Sequence, residues 1–324
     1  MRPGIALVAS ICTVLFATVS LGSDESDLIK IRELNQCIEC DLRKADLSNT
    51  DLSGSQLSGI DLREADLHNA NLSGAALDYA KLRKANLSHA VLLKSDLREV
   101  DMRNATLTGA NLRLSNLSDS DLSKADLSES NLTRASLIGA RLRGSILTSA
   151  NLGKADFREA DLSSADLSGA NMAKINLRRS YLSGANLTKA HLTEAVLSRA
   201  DLSDATLFSA NLNQASLREA FLSSADLSNA ELQSADLVGV DLTDALLINS
   251  NLTHAALTGA ILSGADLSDA RLTRADLADA NLSGANFTNS KLLAADQGAG
   301  FSSSIIISNV SPGLITASPS PEVS

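Results

Sequence analysis

Residues Ala160–Asn171 read "ADLSSADLSGAN", a beat of five in which Ala, Asp or Asn, and Leu return in fixed phase. Followed outward in both directions, the beat does not break. From Leu42 to Leu292 every fifth residue is apolar, 51 positions of which 47 are Leu and the rest Met102, Phe157, Met172 and Phe287. Two residues earlier stands a small side chain, Ala at 36 positions and Ser at 9. The residue before each apolar one is Asp or Asn at 31 positions, and the residue after it is Ser or Thr at 28. A period of five matches neither the 3.6 of an amphipathic helix nor the 2 of a strand. It predicts a coil that turns a corner every five residues, with Leu and the small residue inward and three positions facing water.

If four such units close one coil, residues 20 apart stack on one face, and each face can carry its own chemistry. The sequence shows this. Seven of the 18 Asp that precede the apolar position fall on one face: Asp41, Asp61, Asp101, Asp121, Asp161, Asp201 and Asp241. Seven of the 13 Asn there fall on another: Asn71, Asn111, Asn131, Asn151, Asn171, Asn211 and Asn251. Stacked amides of this kind are expected to form hydrogen-bonded ladders.

The A(D/N)LXX units resemble the pentapeptide repeat family, and the resemblance covers residues 40–293. It implies an all-β fold, a right-handed quadrilateral β-helix (β-solenoid) of about 51 repeats, four to a coil. With neighbouring backbones about 4.8 Å apart, nearly 13 coils give a rod on the order of 60 Å long. A stack has two open ends, which need covering because an unpaired edge invites strand addition. Residues 23–39 are read as the N-terminal cap. Within them a short helix is expected, started by Ser26 or Asp27, with Leu28, Ile31 and Leu34 on the face turned to the first coil. Residues 294–324 are read as a C-terminal segment, with Gly300–Val310 as a covering strand and a Pro- and Ser-rich tail expected to be disordered.

Residues 1–22 have the layout of a signal peptide: basic Arg2, an uncharged apolar run from Ile5 to Leu21, and small residues Ser20 and Gly22 before a run of acids. Ile11 before Cys12 argues against a lipoprotein signal. The expectation is an exported chain, in the periplasm or outside the cell, or in the thylakoid lumen of a cyanobacterium. The whole chain of 324 residues carries a net charge of −10, and loss of residues 1–22 leaves 27 basic against 38 acidic side chains, a balance of −11. Such acidity argues against binding nucleic acid through its phosphates. No membrane contact beyond the signal peptide is expected.

Candidate chemistry is sparse. Cys37 and Cys40 form a Cys-x-x-Cys, but a zinc ribbon needs a second pair and a c-type haem needs His where Asp41 stands. In phase they occupy the Leu and small-residue slots, so both should point inward, as buried thiols or as a disulfide. The Asp face could suit Ca²⁺, but Arg43, Arg63, Arg83, Arg103 and Arg143 lie two residues beyond its Asp column, so a neutralised solvated surface is the simpler expectation. His68, His89, His191 and His254 are scattered, and no nucleophile–base set stands out. Neither a cofactor, a metal site nor a catalytic residue is expected. Asn-Leu-Ser and Asn-Leu-Thr tripeptides are by-products of the repeat.

Tyr181, Phe221 and Ile261 on the Asp face, and Phe208, Leu246 and Ile248 on the next, replace polar residues at outward positions. They form a candidate protein-contact patch for an unidentified partner. The function expected is a non-catalytic structural or interaction scaffold. The resemblance offers an alternative, an acidic DNA mimic that binds DNA gyrase as in quinolone resistance, which the signal peptide opposes. A metal or small-ligand binder on the Asp face is the third.

Overall fold

The computed structural model describes residues 25–293 and residue 295. Its organising element is a parallel β-bridge at every fifth residue, always between residues 20 apart: Asp41 to Asp61, Asp46 to Asp66, Asp51 to Asn71, Gln56 to Ala76. Four bridges therefore close each coil, and the chain is a four-sided β-helix. Three backbone bonds per unit join successive coils. The Leu62 N–H donates to Lys81 O (2.8 Å), Glu64 N–H to Arg83 O (3.0 Å), and Asp61 N–H back to Cys40 O (2.8 Å).

The corner is a turn in which the small residue donates to the carbonyl of the preceding Leu, as Ala65 does to Leu62 (3.1 Å). The second of the two residues between them, here Glu64, takes a left-handed conformation with φ +62°. This holds at every fifth residue from Glu39 to Asn289, and at all but 12 of these corners the residue is not Gly.

All 51 apolar positions lie inside, none more than 4% exposed. Where Ser replaces the inward Ala, its hydroxyl donates to the Leu carbonyl three residues back, as in Ser55 to Leu52 (2.5 Å) and Ser115 to Leu112 (2.6 Å). A buried hydroxyl is costly only when unpaired, and Ser290 Oγ alone lacks a partner among the described residues.

Helix α1 spans Glu25–Leu34. It places Ile31 in the core, but Leu34 is 59% exposed, so the apolar face is narrower than its spacing suggests. Ser26 and Asp27 lie within the first turn rather than before it. The Asp27 carboxylate reaches the rod instead, accepting the Asp41 N–H (3.0 Å) and the Lys30 ammonium (2.5 Å). That N–H belongs to the first coil and meets no inter-coil carbonyl among the described residues, so Asp27 gives it the partner a lower coil supplies elsewhere. The expected signal peptide at 1–22, the strand at 300–310 and the C-terminal tail lie outside the described residues.

Candidate functional site

The outward positions are built by local rules. A carboxylate or amide before Leu accepts the N–H two residues on, as Asp161 does from Ser163 (2.9 Å), and the Ser163 hydroxyl adds a second bond to the same oxygen (2.6 Å). This Asx turn accounts for both the Asp or Asn before Leu and the Ser or Thr after it.

On the Asp face the residue two beyond Asp is sometimes Arg, and a fork forms. Arg43 Nε donates to Asp41 Oδ1 (2.8 Å) and Nη2 to Oδ2 (2.6 Å); Arg63 grips Asp61 and Arg103 grips Asp101 in the same way. The guanidinium hydrogen bond holds Asp41 and Asp101 below the usual carboxylate range. At Asp61 burial works upward, but the Arg63 side chain and backbone outweigh it and the net shift is down. Arg83 and Arg143 follow Lys81 and Arg141 and so form no such fork, although the charge of Arg83 still helps to hold Asp101 low. Three of the carboxylates that a cation would need are thus already engaged.

The amide ladder is also different from its expectation. Asn stacks on an acid more often than on Asn: Asn71 Nδ2 donates to Asp51 (2.9 Å) and Asn251 Nδ2 to Glu231 (2.8 Å), while Asn171 donates to Asn151 (3.2 Å). A charged acceptor gives the stronger bond.

At the seam between cap and rod, Cys37 and Cys40 are buried and joined as a disulfide, with Cα atoms 5.4 Å apart. The Asp27 carboxylate stands beside them, the one set of three metal-type donors among the described residues. With both sulfurs in one covalent bond, neither is a thiolate ligand.

Two of the four histidines meet, although sequence reasoning held them apart: His68 and His89 pack edge to face with centroids 5.9 Å apart. His68 Nδ1 also lies 2.9 Å from Ser88 Oγ. The Asn69 amide contacts His68 Nε2 (3.1 Å), which places the ring proton on Nδ1. The ring therefore donates to Ser88, whose own proton goes to Asn86 Oδ1 (2.6 Å). That polarity is the reverse of what a general base for a serine nucleophile requires.

The apolar outward residues are on the surface: Tyr181 and Phe221 are more than half exposed, and Phe208, Leu246 and Ile261 are exposed as well. Ile248 is half-buried and contributes less. Tyr181 and Phe221 bracket Asp201 by β-bridges on either side and flank a cleft of about 570 Å³, rimmed by Arg179 and Arg199. Ile146 and Val196 are also exposed and had not been singled out; their occupancy of the Asp/Asn slot was the available signal. No described helix is long and apolar enough to cross a membrane.

The family model described as pentapeptide repeats matches in overlapping copies over residues 40–244 and again over 250–289. No curated protein gives a significant match. Among solved structures, the chain is similar to HetL, a pentapeptide repeat protein involved in heterocyst differentiation regulation in the cyanobacterium Nostoc sp. strain PCC 7120. Identity is 36%, over 64% of this chain and 90% of that one, with a TM-score of 0.38. It is similar to QnrB1, a plasmid-mediated fluoroquinolone resistance protein, at 21% identity over 54% of this chain and 90% of that one, TM-score 0.34. A pentapeptide repeat protein of the Arabidopsis thaliana thylakoid lumen matches at 31% identity over 39% of this chain and 68% of that one, TM-score 0.18.

Proposed function

This chain belongs to the pentapeptide repeat family, and from that footing we propose that it is an exported, non-catalytic scaffold whose outward side chains dock a protein partner. Its repeats, about 51 by sequence, form a right-handed rod in this reading. The observation that carries it is the pair Tyr181 and Phe221, both more than half exposed and two coils apart on one face. Their two side chains flank the cleft over Asp201. In a rod whose other outward positions are mostly polar or charged, aromatic side chains left in water favour a contact surface. Ile261 extends it two coils further along the same face, and Phe208 and Leu246 carry it around the corner.

Replacing Tyr181, Phe208 and Phe221 together with Ser tests the contact. The expected result is loss of a captured partner, or of a higher oligomer, with the melting temperature unchanged because none of the three fills the core. An unchanged capture profile and oligomeric state removes the patch. Export is tested separately, by the N-terminal sequence of the protein recovered outside the cytoplasm, expected near Ser23. The gyrase reading gains nothing from the surface, where Asp–Arg forks interrupt the negative potential a DNA mimic needs.

A further inference from the structure

The face opposite the Asp face, ten residues away in each coil, carries the Asn column, and there one glycine is out of place. Among the described glycines, 12 sit at corners with φ between +63° and +73°, where a side chain is strained. Gly153 does not. It stands two residues after Asn151, where its backbone is open to any residue, and an added Cβ would meet Asn151 Oδ1 at 3.3 Å. One coil below, Thr133 occupies this position and its hydroxyl caps Asn131 (2.6 Å). One coil above stands Ala173, with only a methyl group.

Two consecutive missing side chains leave Asn151 and Asn171 exposed and open a cavity of about 460 Å³. Its rim is basic: Arg113, Arg134, Lys154 and Lys174. Arg134, Lys154 and Lys174 are corner residues of three successive coils, so their backbones step along the rod at about 4.8 Å each. Lys174 is paired with Glu194 (3.0 Å). The other three make no ion pair within 4.0 Å among the described residues, in a protein whose net charge is −10. Unneutralised cations around a void with amide N–H groups at its floor are complementary to an anion with several oxygen acceptors.

We propose that this cradle binds a multiply charged oxyanion of the phosphate or sulfate class. Arg134 and Lys154 hold it from the rim, Arg113 closes one end, and the Asn171 amide contributes from below. The void at Gly153 is what admits it. The proposal is independent of the protein-contact reading, which centres on Tyr181 and Phe221 on the opposite face.

Titration of the whole chain with inorganic tripolyphosphate and with orthophosphate, by calorimetry at low ionic strength, tests it. One site is expected, weakening as salt is added. Gly153→Thr restores the side chain found at position 133 and should weaken binding at least tenfold while leaving the melting temperature the same or higher. Lys154→Gln should weaken it severalfold, and Lys189→Gln, outside the cradle, should not. Tripolyphosphate binding at least tenfold tighter than orthophosphate assigns the cradle to a chain of anionic groups; equal binding assigns it to one terminal group. No binding by either probe, or binding that Gly153→Thr leaves intact, overturns the proposal.

Discussion

Residues 141–200 carry nine basic and five acidic side chains, whereas 201–290 carry three basic and twelve acidic. The interior does not register the difference. Leu162 and Ala165 in the first region are as buried as Leu227 and Ala230 in the second, and the inter-coil bonds are of the same length, 2.7 Å at Leu162 and at Leu227. Two positions in five specify the fold, and the other three answer only to the turn and to solvent. Charge can therefore be redistributed along the rod without disturbing it, which is how an acidic chain comes to hold a basic cradle.

The strongest way to break this comparison is to cut into both interiors. Leu162→Ala and Leu227→Ala should each cost about 2–5 kcal/mol, read from denaturant unfolding, and the two losses should agree closely. Each coil touches only its neighbours, so the damage should stay local. A large difference between the variants would mean that the surface charge reaches the core after all.

Acid separates regions in another way. Forks at Asp41, Asp61, Asp96 and Asp101 lie before residue 141, and one more, Arg158 on Asp156, lies in 141–200. The acids of 201–290 are reached only across coils, Glu219 by Arg199 and Asp236 by Arg218. Asp96 and Asp101 are held low by hydrogen bonds from Arg98 and Arg103. A carboxyl whose folded value is depressed contributes stability above its unfolded value, near pH 4, and the contribution is lost as pH falls through the folded value. Between pH 5 and pH 3, amide protection should fall in the coils of 41–110. Over 201–290 it should change less, because protonation there also relieves repulsion among the acids. Equal loss in both regions would show that the forks add nothing.

Much of this was legible in the sequence. The five-residue beat gave the inward positions, and the sorting of Asp and Asn by face gave the twenty-residue coil. The left-handed corners were not legible, because a turn repeated down the whole rod accepts Lys, Glu, Asn, Ser and even Leu114 and Tyr79. Cooperative packing of Leu and closure by inter-coil bonds override the local preference for Gly, so no glycine column forms. Nor could spacing alone show which carboxylates were taken by arginine, since that depends on the residue two places on. The cradle left one faint mark, a glycine out of phase with all the corner glycines.

That mark gives the smallest effect and the sharpest contrast, since the same substitution should change sign between the two regions. At Gly259, in the acidic region, φ is +65° and nothing lies within 4 Å of an added Cβ. Alanine there meets no clash and pays only for the left-handed backbone, so Gly259→Ala should destabilise by about 1 kcal/mol. At Gly153, in the basic region, the backbone is already in a conformation that alanine adopts, and Asn151 Oδ1 at 3.3 Å needs to give by only a few tenths of an ångström. Gly153→Ala should then be neutral or stabilise by up to about 1 kcal/mol, through the smaller entropy of the unfolded chain. Thermal melting of the two variants beside the parent decides the matter. If both lower the melting temperature alike, Gly153 is held by its backbone and the void is incidental. If only Gly259→Ala does, glycine at 153 is not required for stability, and the space it leaves needs another reason.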